Sequence, residues 1–204
     1  SFCHVVKNEV NFLINGRDFT NKIFDAGEEL PSGSDIRYID GKKYILLPAG
    51  FDGVIMDYKN TDASIVLPTA DCAGVSFAHP DKEKCGILHA GYKGTAAGII
   101  DNLFEKLDSN AESLAKMFFR ISPMAGGDFQ LDTQYYKNLF EKYLEKHDID
   151  AFSPKFFQEI ENGKCEFSLQ KIIVKILRAH GIKLHQIYAS SIKTTNSDNN
   201  FYSF

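Results

Sequence analysis

The stretch that decides the fold runs from residue 69 to residue 98 and reads TADCAGVSFAHPDKEKCGILHAGYKGTAAG. Within it, the apolar residues 75–78 and 85–88 are typical of two strands. Residues 79–84 between them have the proline and charge density of a tight polar connection. The pattern therefore predicts an antiparallel hairpin.

The register of this hairpin brings a thiol and an imidazole to its open end. Pairing about the middle of the connection places Cys72 opposite Gly91 and His89 opposite Gly74. A lone buried cysteine or histidine is usually inert, but here Asp71 precedes the thiol and a glycine-rich turn follows the histidine. We expect Cys72 and His89 to act as a nucleophile with its base or as two ligands of one metal ion. Asp71 is the third candidate catalytic residue.

The segment after the histidine predicts a helix and an anion site. Apolar residues between positions 96 and 107 fall on one helical face, so a helix is expected to begin close to Thr95, with Thr95 as its N-cap. The amides of residues 95–97 and the Lys93 side chain would then face one anion, such as phosphate. In the alternative, Thr95 only caps the helix and Lys93 is solvated. The residues alone leave both interpretations open.

Composition limits the class of protein. The chain has 204 residues, 44% of them hydrophobic, and a net charge of −4, so it has no overall attraction for nucleic acid or an anionic membrane. The four cysteines form no regular framework, which favours reduced thiols in a cytoplasmic protein. No leader or membrane-spanning segment is evident. Oligomeric state is not determined by these features.

The rest of the chain mixes strand-like and helix-like segments. Strands are expected at residues 10–14, 43–47, 118–121 and 185–190, turns at residues 15–16, 32–33 and 40–41, and helices at residues 132–146 and 168–180, with a short helix after a capping box at residues 109–112. This mixture predicts an α+β fold: a single domain over residues 1–204 with mixed β-sheets layered against helices. His180 lies in a last helical turn, where the helix dipole explains it.

The central motifs resemble one family. TADC around Cys72, followed by HAGYKG from His89, resembles the YfiH-like or laccase-domain family, also described as multicopper polyphenol oxidase-like. Residues 51–53, 122–131 and 201–204 fit further segments of that family. The resemblance implies a purine nucleoside phosphorylase that is dependent on zinc, often with adenosine deaminase activity, after an earlier assignment as a copper laccase. For some bacterial members it also implies a role in peptidoglycan precursor editing.

The resemblance also implies a metal site, which this chain matches in part. Family members hold the metal with the cysteine of ADC, the histidine of HAG and a third histidine. Cys72 and His89 supply the first two, and Ser32 stands in place of the third. A neutral hydroxyl is a poor substitute, so zinc, or less favourably copper, is expected to bind weakly. His4 and His79 are the substitute ligands to consider.

The expected substrates are a purine nucleoside and phosphate, with no nucleic acid and no membrane as partner. Tyr92 and Lys93 replace the tryptophan and arginine of the family, and a lysine keeps the charge without the bidentate fork. The candidate substrate- and phosphate-binding residues are Gly91, Tyr92, Lys93, Thr95 and Ser32.

Two other functions remain open from the sequence. In a metal-independent hydrolase or deamidase, Cys72 would be a thiolate nucleophile and His89 its base, with Asp71 or Ser32 as orienting partner. In a degenerate binding or regulatory domain, the pocket would bind purines or peptidoglycan precursors without turnover.

Overall fold

A computed structural model describes residues 10–14 and 21–195. Its strands are β1 (Val10–Leu13), β2 (Lys22–Asp25), β3 (Asp35–Ile39), β4 (Lys42–Leu46), β5 (Phe51–Asp57), β6 (Ala63–Val66), β7 (Ala73–His79), β8 (Lys84–Ala90), β9 (Phe118–Ile121), β10 (Gln130–Asp132), β11 (Phe157–Glu159), β12 (Lys164–Phe167) and β13 (Ile187–Ala189). Its α-helices are α1 (Tyr92–Ala96), α2 (Ile99–Leu107), α3 (Ala111–Leu114), α4 (Thr133–Glu145) and α5 (Leu169–Ala179). Short 3-10 turns cover Pro80–Lys82, Glu161–Gly163 and Leu184–Gln186.

The strands form three sheets. The central sheet has six strands in the order β13-β9-β7-β8-β5-β2, and two smaller sheets have the orders β3-β4-β1-β6 and β10-β12-β11. Parallel pairs such as β2 with β5 and β9 with β13 occur beside antiparallel pairs such as β7 with β8. The predicted α+β class with mixed sheets is thereby confirmed. That residues 1–204 all belong to this one domain stays a prediction, because both ends lie outside the described residues.

Each face of the central sheet carries its own apolar core. On one face, Val75 and Leu88 pack with the apolar sides of α2, α4 and α5. On the other face, Val54 and Ile87 pack with residues of the sheet that contains β1 and β4. The sheet is therefore the middle layer, with helices on one side and a second sheet on the other. Among residues 10–14 and 21–195, no helix combines the length and apolar character needed to cross a membrane.

The predicted central hairpin and its register are confirmed. Gly74 pairs with His89 and Ala73 with Ala90, so β7 and β8 are each longer than the apolar runs that predicted them. Side chains alternate between the two faces along a strand. Leu88 and Ala90 therefore point to the helical layer, and His89 points to the opposite face.

The helix after the hairpin differs from the prediction. It begins at Tyr92 with Gly91 as its N-cap, because the amide of Thr95 already donates to the carbonyl of Gly91 at 2.8 Å. Thr95 is fully buried in this helix, so the N-cap prediction for Thr95 is wrong. The helix then breaks at Gly98, which adopts φ = 90°, and α2 begins at Ile99. A left-handed glycine ends one helix and redirects the chain into the next.

Most other predicted elements are present with shifted ends. Helices α4 and α5 and strand β9 agree with the sequence patterns, and Asp132 and Ser168 cap the two helices. The short helix α3 is capped by Asn110 rather than by the residue before it, since Asn110 Oδ1 accepts from the amide of Ser113. The closing strand is reduced to β13. The predicted turn at residues 15–16 and the aromatic tail at residues 201–204 lie outside the described residues.

Candidate functional site

The structure brings Cys72 and His89 together at the open end of the hairpin. Cys72 directly precedes β7, and His89 is the second-last residue of β8, paired with Gly74. The side chains of Cys72 and His89 hydrogen-bond to each other. Cys72 is a free cysteine and is half-buried. The site therefore presents a thiol, in contact with an imidazole, that small molecules can reach.

Asp52 is a site residue that the sequence interpretation did not select. Its Oδ1 lies 3.5 Å from Nδ1 of His89, and its side chain is only 1% exposed. The amide of Asn21 donates to the other carboxylate oxygen at 3.1 Å, which holds the carboxylate in place. The pairing of β5 with β8 puts Gly53 opposite Leu88, so the preceding Asp52 comes beside His89. The sequence signal that could have identified Asp52 is a charged residue inside an otherwise apolar, strand-like stretch.

The surroundings of His89 favour its charged form. Burial by itself lowers the pKa of His89, but hydrogen bonds and charge interactions with Asp52 and Cys72 raise it to about 9. Metal-free protein at neutral pH therefore holds a protonated imidazole between a carboxylate and a thiol. Such a group is a hydrogen-bond donor and not a ready general base.

We expect Asp52→Asn to remove a pH-dependent part of the stability of metal-free protein. A histidine whose pKa rises from 6.5 to about 9 on folding stabilises the fold fully below pH 6.5, and this contribution is lost as the pH rises to about 9. The difference in unfolding free energy between wild type and Asp52→Asn should therefore shrink across that window. Urea unfolding at a series of pH values, with a chelator present, measures it. A difference that is constant with pH would contradict the coupling.

The carboxylate of Asp71 is directed to a different partner. Thr194 Oγ1 donates to Asp71 Oδ1 at 2.7 Å, and the carbonyl of Asp71 accepts from the amide of Ala125 at 2.9 Å. Asp71 thus joins the loops around residues 125 and 194 to the start of the thiol strand. Asp71 or Ser32 was expected as the orienting partner of His89, but the group beside the imidazole is the carboxylate of Asp52.

A small aromatic cavity lies beside the thiol. Its volume is about 140 Å³, and the side chains of Tyr92 and Phe129, with ring centroids 5.8 Å apart, form part of its wall. The lining residues are Asp71, Cys72, Tyr92, Met124, Ala125, Gly126, Phe129, Phe167 and Leu169. Apolar walls with a few polar groups at one end are the usual form of a small-molecule site.

The predicted anion site is corrected by the position of the helix. The amides of Thr95 and Ala97 donate to the carbonyls of Gly91 and Lys93, so they are not available to an anion. Lys93 lies in the first turn of α1, with Nζ 5.8 Å from the centroid of the Tyr92 ring. Anion binding at this position would therefore depend on the Lys93 side chain and not on the amides of residues 95–97.

Two of the residues considered for the third metal ligand, Ser32 and His79, lie in the described part of the chain. Ser32 is exposed, in a turn that Ser34 closes by donating from its amide to the carbonyl of Pro31. His79 is buried at the far end of β7 from His89, and its Nε2 hydrogen-bonds with Ser109 Oγ at 2.7 Å. His79 is therefore not a substitute ligand at this site. His4 lies outside the described residues.

The donor set at Cys72 and His89 fits a metal ion in part. A thiol and an imidazole are ligands that zinc accepts, and the buried Asp52 behind His89 reproduces the carboxylate–histidine support found around many metals. A catalytic zinc normally keeps three protein ligands, whereas this pair supplies two.

A separate group of potential metal ligands occurs in the described part of the chain. It consists of Asp101, His147 and His180, whose ligand atoms lie within 4.8 Å of one another. His180 Nε2 is 2.6 Å from Asp101 Oδ1, so His180 does more than complement a helix dipole.

Comparison with solved structures confirms the fold. Protein NMB0706 of Neisseria meningitidis superposes with a TM-score of 0.70 at 19% identity, covering 97% of this chain and 69% of that one. The YfiH protein of Bacillus licheniformis superposes with a TM-score of 0.60 at 25% identity, covering 91% of this chain and 69% of that one.

Comparison of sequences identifies relatives with a named activity. A Rickettsia prowazekii protein named purine nucleoside phosphorylase RP494 is 27% identical over 181 residues, which are 86% of this chain and 70% of the relative. The chain spans between 51% and 70% of the length of the bacterial relatives of that name that it matches. The family model described as multi-copper polyphenol oxidoreductase laccase matches residues 29–204. Because that match covers most of the sequence, this chain belongs to the multi-copper polyphenol oxidoreductase laccase family.

Proposed function

We propose that this chain is an enzyme of the purine nucleoside phosphorylase type whose reaction takes place beside Cys72 and His89. The observation that carries the proposal is the arrangement of thiol, imidazole and buried Asp52 carboxylate at the open end of the hairpin, next to the aromatic cavity. The names of the bacterial relatives support the same activity. The free cysteines fit a reducing, cytoplasmic location.

The proposed reaction needs a place for the base and a place for phosphate. In phosphorolysis a phosphate oxygen bonds to C1′ of the ribose while the bond from C1′ to the base nitrogen breaks. The base leaves with that electron pair and takes up a proton. The cavity between Tyr92, Phe129 and Phe167 has the size and flat apolar walls suited to a purine ring. Lys93, on the helix that follows the histidine, supplies the charge for phosphate.

Cys72 and His89 are the residues that would hold a metal ion. When bound, zinc supplies a Lewis acid that polarises an oxygen of substrate or water. Asp52 Oδ1, 3.5 Å from His89 Nδ1, would keep the ring oriented and leave the other ring nitrogen for the ion or for the Cys72 thiol. Binding is expected to be weak because Ser32 replaces an imidazole. A full equivalent of zinc that wild type holds and Cys72→Ser lacks, in protein purified without added metal, would contradict this part of the proposal.

The test of the function is a set of assays on one preparation. Inosine and adenosine are incubated with and without phosphate, with and without added zinc, and the free base, ribose 1-phosphate and deaminated nucleoside are measured. Formation of base and ribose 1-phosphate that requires phosphate supports phosphorolysis, and inosine formed from adenosine reports deamination. Nucleoside binding without turnover under all conditions would instead identify a binding domain.

A second candidate function follows from the same geometry. Cys72, His89 and Asp52 stand in the order thiol, imidazole, carboxylate, which is also the order of a cysteine hydrolase or deamidase. A protonated His89 would donate a hydrogen bond to the Cys72 sulfur. This enzyme would need neither phosphate nor metal, and iodoacetamide would inactivate it. Catalytic activity that persists with a chelator and without phosphate, but is lost after alkylation by iodoacetamide, would favour the hydrolase or deamidase over the phosphorylase.

Lys93→Ala is expected to weaken phosphate binding by about ten- to a hundredfold. Loss of one charge-assisted contact typically costs on the order of 1.5 to 3 kcal/mol, whereas a side chain in the first turn of a short helix contributes little to folding. Titration calorimetry with phosphate measures the affinity. Lys106→Ala is the matched control, since Lys106 is on α2, outside the proposed site, and its ammonium group lies 3.5 Å from Glu28 Oε1. Equal phosphate affinities for wild type and Lys93→Ala would show that Lys93 takes no part in phosphate binding.

A further inference from the structure

Three helices meet at a buried carboxylate away from the Cys72–His89 pair. Asp101 is in the first turn of α2, His147 follows α4, and His180 is the C-cap of α5. Asp101 Oδ1 lies 2.6 Å from Nε2 of His180 and 3.1 Å from Nε2 of His147. Helices α2 and α5 belong to the layer on the face of the sheet opposite to the His89 side chain.

The surroundings of Asp101 favour a positive charge beside its carboxylate. Asp101 is only 6% exposed, and helix C-termini carry partial negative charge on their last carbonyls. His147 and His180 lie at two such termini, those of α4 and α5, next to the carboxylate. Lys146 reaches Asp101 Oδ2 at 3.3 Å, but its side chain is mostly in solvent. The two imidazoles are the groups nearest to this carboxylate, and a cation bound among the three side chains would offset its negative charge.

Two neighbouring side chains, Tyr143 and Phe104, surround the carboxylate and imidazoles. Side chains in such positions commonly hold metal ligands in place. The hydroxyl oxygen of Tyr143 is buried and, within the described residues, makes no hydrogen bond of ordinary geometry. The ring of Tyr143 lies against that of His147, with centroids 5.1 Å apart. The ring of Phe104 stacks on His180 with centroids 4.3 Å apart and restricts its rotation. Such groups orient ligands and occupy their remaining hydrogen bonds.

We propose that Asp101, His147 and His180 form a structural site for a divalent transition metal ion such as zinc. Two imidazoles and one carboxylate suit zinc or cobalt better than calcium or magnesium, which prefer oxygen ligands. Ligand atoms on one tetrahedral zinc lie roughly 3.3 Å apart, for bond lengths near 2.0 to 2.2 Å. The ligand atoms, all within 4.8 Å of one another, reach that spacing with side-chain shifts of about 1 Å. The ion would tie together the ends of α2, α4 and α5.

Cobalt is the probe that separates this site from the Cys72–His89 pair. Cobalt bound by oxygen and nitrogen has visible d–d bands, and cobalt bound by a thiolate adds a sulfur-to-metal charge-transfer band. We expect Cys72→Ser to keep a cobalt site without the charge-transfer band. The double variant His147→Gln, His180→Gln should bind cobalt at this site at least about tenfold more weakly. His185→Gln, in an exposed 3-10 turn, is the matched control and should bind as wild type does.

Two further measurements keep the proposal open to contradiction if the double variant folds poorly. Zinc should raise the thermal midpoint of the Cys72→Ser protein, because an ion that binds only the folded state stabilises it. X-ray absorption of zinc bound to Cys72→Ser should show nitrogen and oxygen ligands, with two imidazoles. No cobalt or zinc binding by Cys72→Ser would overturn the proposal and leave Asp101 simply hydrogen-bonded to the two histidines. Binding unaffected by the double variant would overturn it as well.

Discussion

Cys72→Ser is expected to lower the rate of phosphorolysis by about a hundredfold or more. Cys72 is the half-buried thiol that contacts both His89 and the aromatic cavity, so its loss changes the group nearest to the reacting atoms. Replacing a group with that role commonly costs on the order of 10² to 10⁴ in rate. Initial rates with inosine and phosphate measure the effect, and circular dichroism checks that the fold is kept.

Cys85→Ser is the matched control for this prediction. Cys85 lies at the other end of the same hairpin, opposite Ala78, and burial followed by the charge of Asp57 raises the pKa of its thiol. A half-buried thiol whose pKa is raised is less reactive than an ordinary one. We expect Cys85→Ser to retain nearly all activity. Equal rates for Cys72→Ser and Cys85→Ser would remove Cys72 from the reaction and with it the proposed site.

Gly86→Ala is expected to destabilise the protein by about 3 kcal/mol. Gly86 is in the middle of β8 between β5 and β7, and a Cβ there would overlap the carbonyl oxygen of Val54 and lie 2.6 Å from Cε1 of Phe77. Neither neighbour can move easily, because one is backbone and the other is packed in the core. Overpacking of this kind costs roughly 1 to 3 kcal/mol, and more where backbone is involved.

Urea unfolding measures this cost, with Gly127→Ala as the comparison. A Cβ on Gly127 would meet only Ser168 Cβ at 3.7 Å, which is an ordinary contact, so we expect a change within about 1 kcal/mol. A Gly86→Ala protein as stable as Gly127→Ala would mean that β5 and β7 are not packed as closely as the structure has them.

Local sequence patterns predicted the helices and strands in which buried residues recur at a regular spacing. Helices α4 and α5 bury every third or fourth residue, and their caps Asp132 and Ser168 are visible in the sequence. Three of the strands that were not predicted, β3, β10 and β11, give no such pattern. All residues of β3 are exposed, and β10 and β11 have three residues each, so neither burial nor length marks them. The break at Gly98 was missed because apolar spacing continues across it.

The sequence by itself determined the central hairpin and the pairing of Cys72 with His89. Both follow from short-range alternation and from one connection of a few residues, which together leave only one register. Only the tertiary structure decided that Asp52 supports His89, because β5 reaches β8 through long-range pairing that no local pattern specifies. The same holds for the junction of Asp101 with the ends of α4 and α5. Helix packing brings these distant segments together, since an amphipathic pattern specifies which face is buried but not which neighbour it meets.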